Sequence, residues 1–230
     1  MSRRPYVLLS CATSIDGYLD DASGTRLLLS GAPDLDRVDG VRAGCDAILV
    51  GATTIRRDNP RLLVRSPARQ AERVAAGWPP SPVKVTLTAS GDLDPAAAFF
   101  TTGPADRLVY CATPALDKAA ARLDAGATVV DAGDPVDLGG VLADLAGRGV
   151  RRLMVEGGSA VLTGFLTAGL ADELHLAVAP FFVGDSRAPR LVGDGGFPWR
   201  PGAPARLVEV GRVGEVALLR YALSDRYGAE

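Results

Sequence analysis

Apolar residues fall along this chain in short continuous runs: Tyr6–Ala12, Asp46–Gly51, Val83–Leu87, Leu108–Ala112, Thr128–Val130, Leu153–Val155 and Leu174–Ala179. Runs of this length, without regular polar interruptions, predict strands buried on both faces. Between them lie segments with helical spacing. Pro33–Ala43 and Pro114–Leu123 each open with a proline at a first-turn position, and Leu138–Gly147 carries Leu138, Val141, Leu142 and Leu145 on one face. A further helix is expected over Ala160–Leu170. Strands alternating with helices predict an α/β fold: one domain over residues 1–230, with a mainly parallel twisted sheet covered by helices on both faces. Near the end, Arg206–Arg212 and Val216–Ala222 flank Val213-Gly214-Glu215, which predicts a closing antiparallel hairpin.

Two segments interrupt this rhythm. Ser66–Pro82 holds Pro67, Pro79, Pro80 and Pro82 around an Arg/Ala-rich middle and reads as an exposed excursion. Pro180–Pro204 is rich in Gly and Pro but contains Phe181, Phe182, Phe197 and Trp199, which suits a packed functional loop.

Composition narrows the function classes. With 230 residues, 47% of them hydrophobic, the chain can bury a large core, and its formal net charge of −2 gives no electrostatic footprint for nucleic acid. Arg3-Arg4 is too short for a basic arm. No apolar run approaches the ~20 residues that span a bilayer, and no charged leader precedes a hydrophobic region, so a cytoplasmic protein is expected. Cys11, Cys45 and Cys111 lie in or beside apolar runs and read as buried reduced thiols. No CxxC pair occurs and His175 is the only histidine, so no metal site is expected. His175 itself reads as a satisfied strand residue.

Candidate chemistry concentrates in three places. In RRLMVEGGSAVLTGFLTAG (Arg151–Gly169), a strand meets Glu156-Gly157-Gly158-Ser159 and then a helix. Two glycines admit an anion to the backbone, and a helix start offers unpaired N–H groups, which together make a phosphate cradle; Gly-Gly also serves simply to turn a strand into a helix. The loop Ala12–Tyr18 follows the first strand, at the carboxyl end where open α/β sheets bind ligands, although Asp16-Gly17 also reads as a plain turn. In Val41–Arg65 a strand ends at Gly51 and is followed by Thr53, Thr54, Asp58 and Asn59-Pro60, with Arg42 and Arg65 placed to clamp a phosphate.

Taken together, ATSIDG, VRAGCDAILVGATTIRRDNPRLLVR and LMVEGGSAVLTGFLTAGLADELHLAVAPFFVG resemble the reductase domain of riboflavin biosynthesis, a family with the dihydrofolate-reductase-like fold. The resemblance covers nearly the whole chain. It implies NADPH-dependent reduction of a 5-phosphoribosylamino-pyrimidine to its ribitylamino form. The HxE and PCxxC pattern of the deaminase found in bifunctional members does not occur, so a stand-alone reductase is expected. Carried over by motif, Ala12, Thr54, Asp58, Gly157, Gly158, Ser159, Ala160, Val161, Leu162, Thr163 and Gly164 are the implied NADPH contacts. Arg42, Leu62, Arg65 and Glu156 fall where the family holds substrate. Glu156 or Asp58 is the implied carboxylate beside the reacting carbon, and a homodimer is the implied assembly.

The chain departs from the family twice. Arg26 and Leu28 stand where a serine and a tryptophan are usual, altering the substrate side of the pocket. In TLTASGDL (Thr86–Leu93) the usual basic residue for the cofactor's 2′-phosphate is missing, and Asp92 stands nearby as a repelling charge. Ser90 or Arg107 is the expected substitute, with NADPH kept as the expected cofactor. Two other readings remain open: a reductase of the same fold acting on a pterin, dihydrofolate or a specialised metabolite, and a non-catalytic nucleotide-binding protein.

Overall fold

The computed structural model describes residues 4–23, 25, 27–123 and 126–228; Arg3 and Arg26, named above, lie outside them. The strands are β1 (Tyr6–Thr13), β2 (Ala47–Gly51), β3 (Val83–Thr88), β4 (Arg107–Cys111), β5 (Thr128–Asp131), β6 (Arg152–Val155), β7 (Glu173–Val178), β8 (Arg206–Val213) and β9 (Val216–Ala222). The helices are α1 (Ala32–Ala43), α2 (Ala52–Asp58), α3 (Pro67–Ala75), α4 (Ala98–Thr101), α5 (Leu116–Leu123), α6 (Leu138–Gly147) and α7 (Ser159–Thr167). The chain forms two compact units, one of Asp39–Met154 with the residues before Tyr6, the other of Tyr6–Val38 and Val155–Glu230.

In the first unit the strands run in the order β5-β4-β3-β2-β6, and the pairs β2–β3, β3–β4 and β4–β5 are parallel. Parallel strands need both faces covered, which explains their continuous apolar sequences. Ile48, Val50, Ile55, Phe99, Phe100 and Val109 fill one core cluster. Asp46 fixes the register of the sheet at one end, because its Oδ2 accepts the amides of Arg151 and Arg152, each at 2.8 Å.

The expected excursion at Ser66–Pro82 is in part a helix. Ser66 accepts the Arg69 amide as N-cap of α3, and Pro67 takes the first turn, where its missing N–H has no cost. Arg73 on this helix is buried, its guanidinium satisfied by the carbonyls of Pro79 (2.8 Å), Ala43 (2.7 Å) and Cys45 (2.8 Å). Lys84 is buried likewise, and its ammonium donates to the carbonyls of Phe99 and Thr102 near the end of α4.

In the second unit the order is β1-β7-β9-β8, with β1–β7 parallel and both other pairs antiparallel. The predicted hairpin is present, turning at Gly214 with φ +61°. His175 is buried and fully engaged: Nε2 lies 2.7 Å from Glu173 Oε1, and Nδ1 lies 3.4 Å from Arg37 Nη1. Because an arginine can only donate, the neighbouring nitrogen accepts and the imidazole donates to Glu173. Burial drives the Glu173 carboxyl up, but hydrogen bonds from His175 and Arg220 outweigh it and hold it down at about 2.

The segment 180–204 has little regular structure and is tied down by side chains. Asp16 accepts the amides of Val183 (3.1 Å) and Gly184 (2.8 Å), Thr163 accepts that of Gly193 (2.9 Å), and Trp199 donates to Leu223 O (3.1 Å). Phe182 stays exposed. Among the described residues no helix is long and apolar enough to cross a membrane.

Candidate functional site

In the first unit the site is built on the loop between α2 and α3. Gly51 ends β2 and N-caps α2, on which Thr54 and Asp58 stand one turn apart on one face, both half-buried. Asn59 then enters the left-handed region with φ +43°, and its Oδ1 accepts the first amide of α4, that of Ala98, at 2.6 Å. Leu62 is left-handed too, at φ +48°, and its buried side chain belongs to the core cluster. A non-glycine residue persists in that region only where its surroundings fix it. Here a core plug does so.

The next residues are pinned in turn. Arg42, itself buried, donates to Leu63 O at 3.1 Å, Val64 N–H donates to Ser81 Oγ at 3.1 Å, and Gln70 Nε2 donates to Val64 O at 2.7 Å. The buried carboxylate of Asp39 accepts the amides of Arg65 and Ser66 and pairs with Arg69 at 3.0 Å. Arg65 therefore has a fixed backbone under an exposed side chain, whose guanidinium makes no hydrogen bond or ion pair among the described residues. Such a group can receive an anion without first giving up a partner. Asp39 carries no motif that marks this role; its partners stand 26 to 30 residues away in sequence.

Ser90 lies exposed in the loop after β3, where Thr88 Oγ1 accepts the Gly91 amide at 3.0 Å. Gly91 is indispensable to this path: its φ is +65°, and a Cβ there would stand 2.9 Å from Ala115 O. Arg107 does not reach this loop. It opens β4 opposite Lys84, at the other end of the strands, and donates to Gly103 O at 2.8 Å.

In the second unit, half-buried Glu156 follows the end of β6 and leads through the Gly157–Gly158 peptide, which is cis, into α7. Gly157 has φ +118°, a conformation open to glycine. Gly158 is the N-cap and brings no side chain to close the first turn. The first hydrogen bond into the helix runs from Leu162 N–H to Gly158 O at 3.0 Å, so the amides of Ser159, Ala160 and Val161 have no acceptor within the helix. Leu162 itself is buried, Thr163 braces the helix against Gly193, and Gly164 is half-buried. A bare helix start with glycine before it suits the pyrophosphate of a dinucleotide.

Ala12 sits half-buried at the carboxyl end of β1. Beyond it the Ser14 hydroxyl donates to Asp16 at 2.6 Å, and this bond, with the Val183 and Gly184 amides, holds the Asp16 carboxyl down at about 2. Asp16 is thus more than a turn residue, since it ties the Ala12–Tyr18 loop to segment 180–204. Leu28 is 72% exposed.

Comparison with known proteins gives a consistent result. Residues 5–219 match the family described as the RibD C-terminal domain. The chain is 33% identical over 213 residues to the 2,5-diamino-6-ribosylamino-4(3H)-pyrimidinone 5′-phosphate reductase of Archaeoglobus fulgidus, covering 92% of this chain and 95% of that protein. The like-named protein of Methanothermobacter thermautotrophicus is 38% identical over 194 residues, covering 84% and 86%. A crystal structure of a pyrimidine reductase-like protein from Corynebacterium diphtheriae has the same fold, with a TM-score of 0.81 at 25% identity over 95% of this chain and 91% of that one.

Proposed function

The chain belongs to the RibD C-terminal domain family, and from that premise we propose that it is the reductase of 2,5-diamino-6-ribosylamino-4(3H)-pyrimidinone 5′-phosphate in riboflavin biosynthesis, using NADPH. The observation that carries this reading is the similarity, over nearly the full length of each chain, to reductases of that name. The donor set agrees with it: a glycine-opened helix start for a pyrophosphate and an uncommitted, backbone-pinned arginine for a sugar phosphate.

Reduced nicotinamide, when bound, supplies a hydride. The residues supply positioning. The residues that would hold the dinucleotide are Ala12, Thr54, Asp58, Ser90 and the backbone of Gly157–Gly164. Arg65, with Arg42 and Leu62, would hold the substrate so that C1′ of the opened ribose can meet the hydride donor. There the imine nitrogen takes a proton from solvent, the carboxylate of Glu156 or Asp58 would stabilise the resulting cation, and hydride addition to C1′ removes the charge.

The assembly we propose is a homodimer. Leu174, Tyr221 and Leu207 lie side by side across β7, β9 and β8, as do Leu176, Leu219 and Val210, and Leu207 and Val210 are exposed. An apolar sheet face of this kind suits a self-complementary contact.

Loss of nicotinamide absorbance on mixing protein, NADPH and substrate tests the proposal. The ribosylamino-pyrimidine phosphate is expected to drive oxidation and dihydrofolate to leave it at background; the reverse order would assign the fold to a different heterocycle.

A further inference from the structure

The loop after β3 presents an acid, Asp92, yet three cations from other elements converge on it. Lys118 Nζ, from α5, donates to Ser90 O at 3.2 Å; Arg56 Nη1, from α2, donates to Asp92 O at 2.9 Å; Arg122 Nη1, also from α5, pairs with Asp92 Oδ1 at 3.0 Å. Arg56 also donates to Thr53 Oγ1 at 3.1 Å. Among the described residues Asp92 is thus neutralised, while Arg56 and Lys118 meet only uncharged acceptors.

Folding does not require this gathering of charge. Asp92 and Arg122 are 53% and 44% exposed, and ion pairs that exposed contribute little to stability. The loop's path is already set by Gly91 and by Thr88 Oγ1. The Asp92 carboxylate offsets one of the three positive charges, and the other two repel one another unless a further anion joins them. The Ser90 side chain is exposed in the same loop, where a hydroxyl donor completes the set of groups that suits a phosphate monoester dianion.

Resting on the reductase reading above, we infer that Arg56, Lys118 and the Ser90 hydroxyl bind the 2′-phosphate of the dinucleotide, and that Arg122 acts as a positioning residue by neutralising Asp92. Selectivity for the phosphorylated cofactor then comes from α2 and α5, in place of the missing basic residue of the loop.

Calorimetric binding of 2′,5′-ADP and 5′-AMP reads the site without turnover. Wild type is expected to favour 2′,5′-ADP by about tenfold or more, and Arg56→Ala and Lys118→Ala each to lower that ratio by about fivefold with 5′-AMP binding unchanged. Arg122→Ala lowers it as well by unmasking Asp92, and Arg122→Ala/Asp92→Asn restores it. A wild-type ratio near one, or an undiminished ratio in the folded Arg56→Ala/Lys118→Ala variant, would overturn the assignment while leaving a reductase in place. No recovery in Arg122→Ala/Asp92→Asn would overturn the neutralising role. If wild type binds neither fragment and neither NADPH nor NADH, the reductase reading fails and this inference with it.

Discussion

The backbone under Arg65, the side chain proposed for the substrate phosphate, is held by residues of other elements. Asp39 holds its amide, Leu62 plugs the loop into the core, and Gln70 and Ser81 hold Val64, so the chain under the guanidinium is fixed before anything binds. A flexible arginine would have to be ordered on binding; here only its side chain needs ordering. Removing a charge-assisted phosphate contact costs ~1.5–3 kcal/mol, so Arg65→Ala is expected to raise KM by about 10- to 100-fold and to leave the Kd for NADPH unchanged. Steady-state kinetics with a separate cofactor titration decides it: a variant that lost NADPH and kept its KM would place Arg65 with the dinucleotide. The arginine was visible in the sequence as part of a motif. Its support was not, because Asp39 is contributed by a helix 26 residues earlier.

At the scale of elements, the apolar runs were sufficient to place the strands, since a strand buried on both faces leaves an uninterrupted apolar signature. The hairpin of β8 and β9 was equally legible from its glycine turn. Helix α3 was not, because prolines at both ends of its segment suggest irregular chain, and its buried Arg73 is satisfied by carbonyls of residues 43, 45 and 79, which no local pattern reveals. Short α2 and α4 were hidden in the same way by their loops. The strand-to-helix turn before α7 was readable, and it carries a specific expectation. Gly158 has φ −56°, an angle open to any residue, and Gly158→Val would add a side chain beside the first-turn amides of α7. NADPH binding is expected to weaken by more than about tenfold, ~1.4 kcal/mol or more, in a variant whose circular dichroism matches wild type. Undiminished affinity there would remove the cradle from the cofactor site.

For the whole molecule, the family match spans residues 5–219, and the motifs that carry the resemblance run from Ala12 to Gly184. A function that draws on so many separate segments leaves a trace along the entire sequence, which is why the family was legible. The cations around Ser90 were not, because α2 and α5 bring them from 30 or so residues to either side. We propose that this chain moves hydride from NADPH to C1′ of a ribosylamino-pyrimidine phosphate. Mass spectrometry of the product formed with NADPH deuterated at the transferable position of its nicotinamide follows that hydride. The expected product is the ribitylamino compound with one deuteron on the C1′ carbon. Label retained by the cofactor, or found on the pyrimidine ring, would contradict the account.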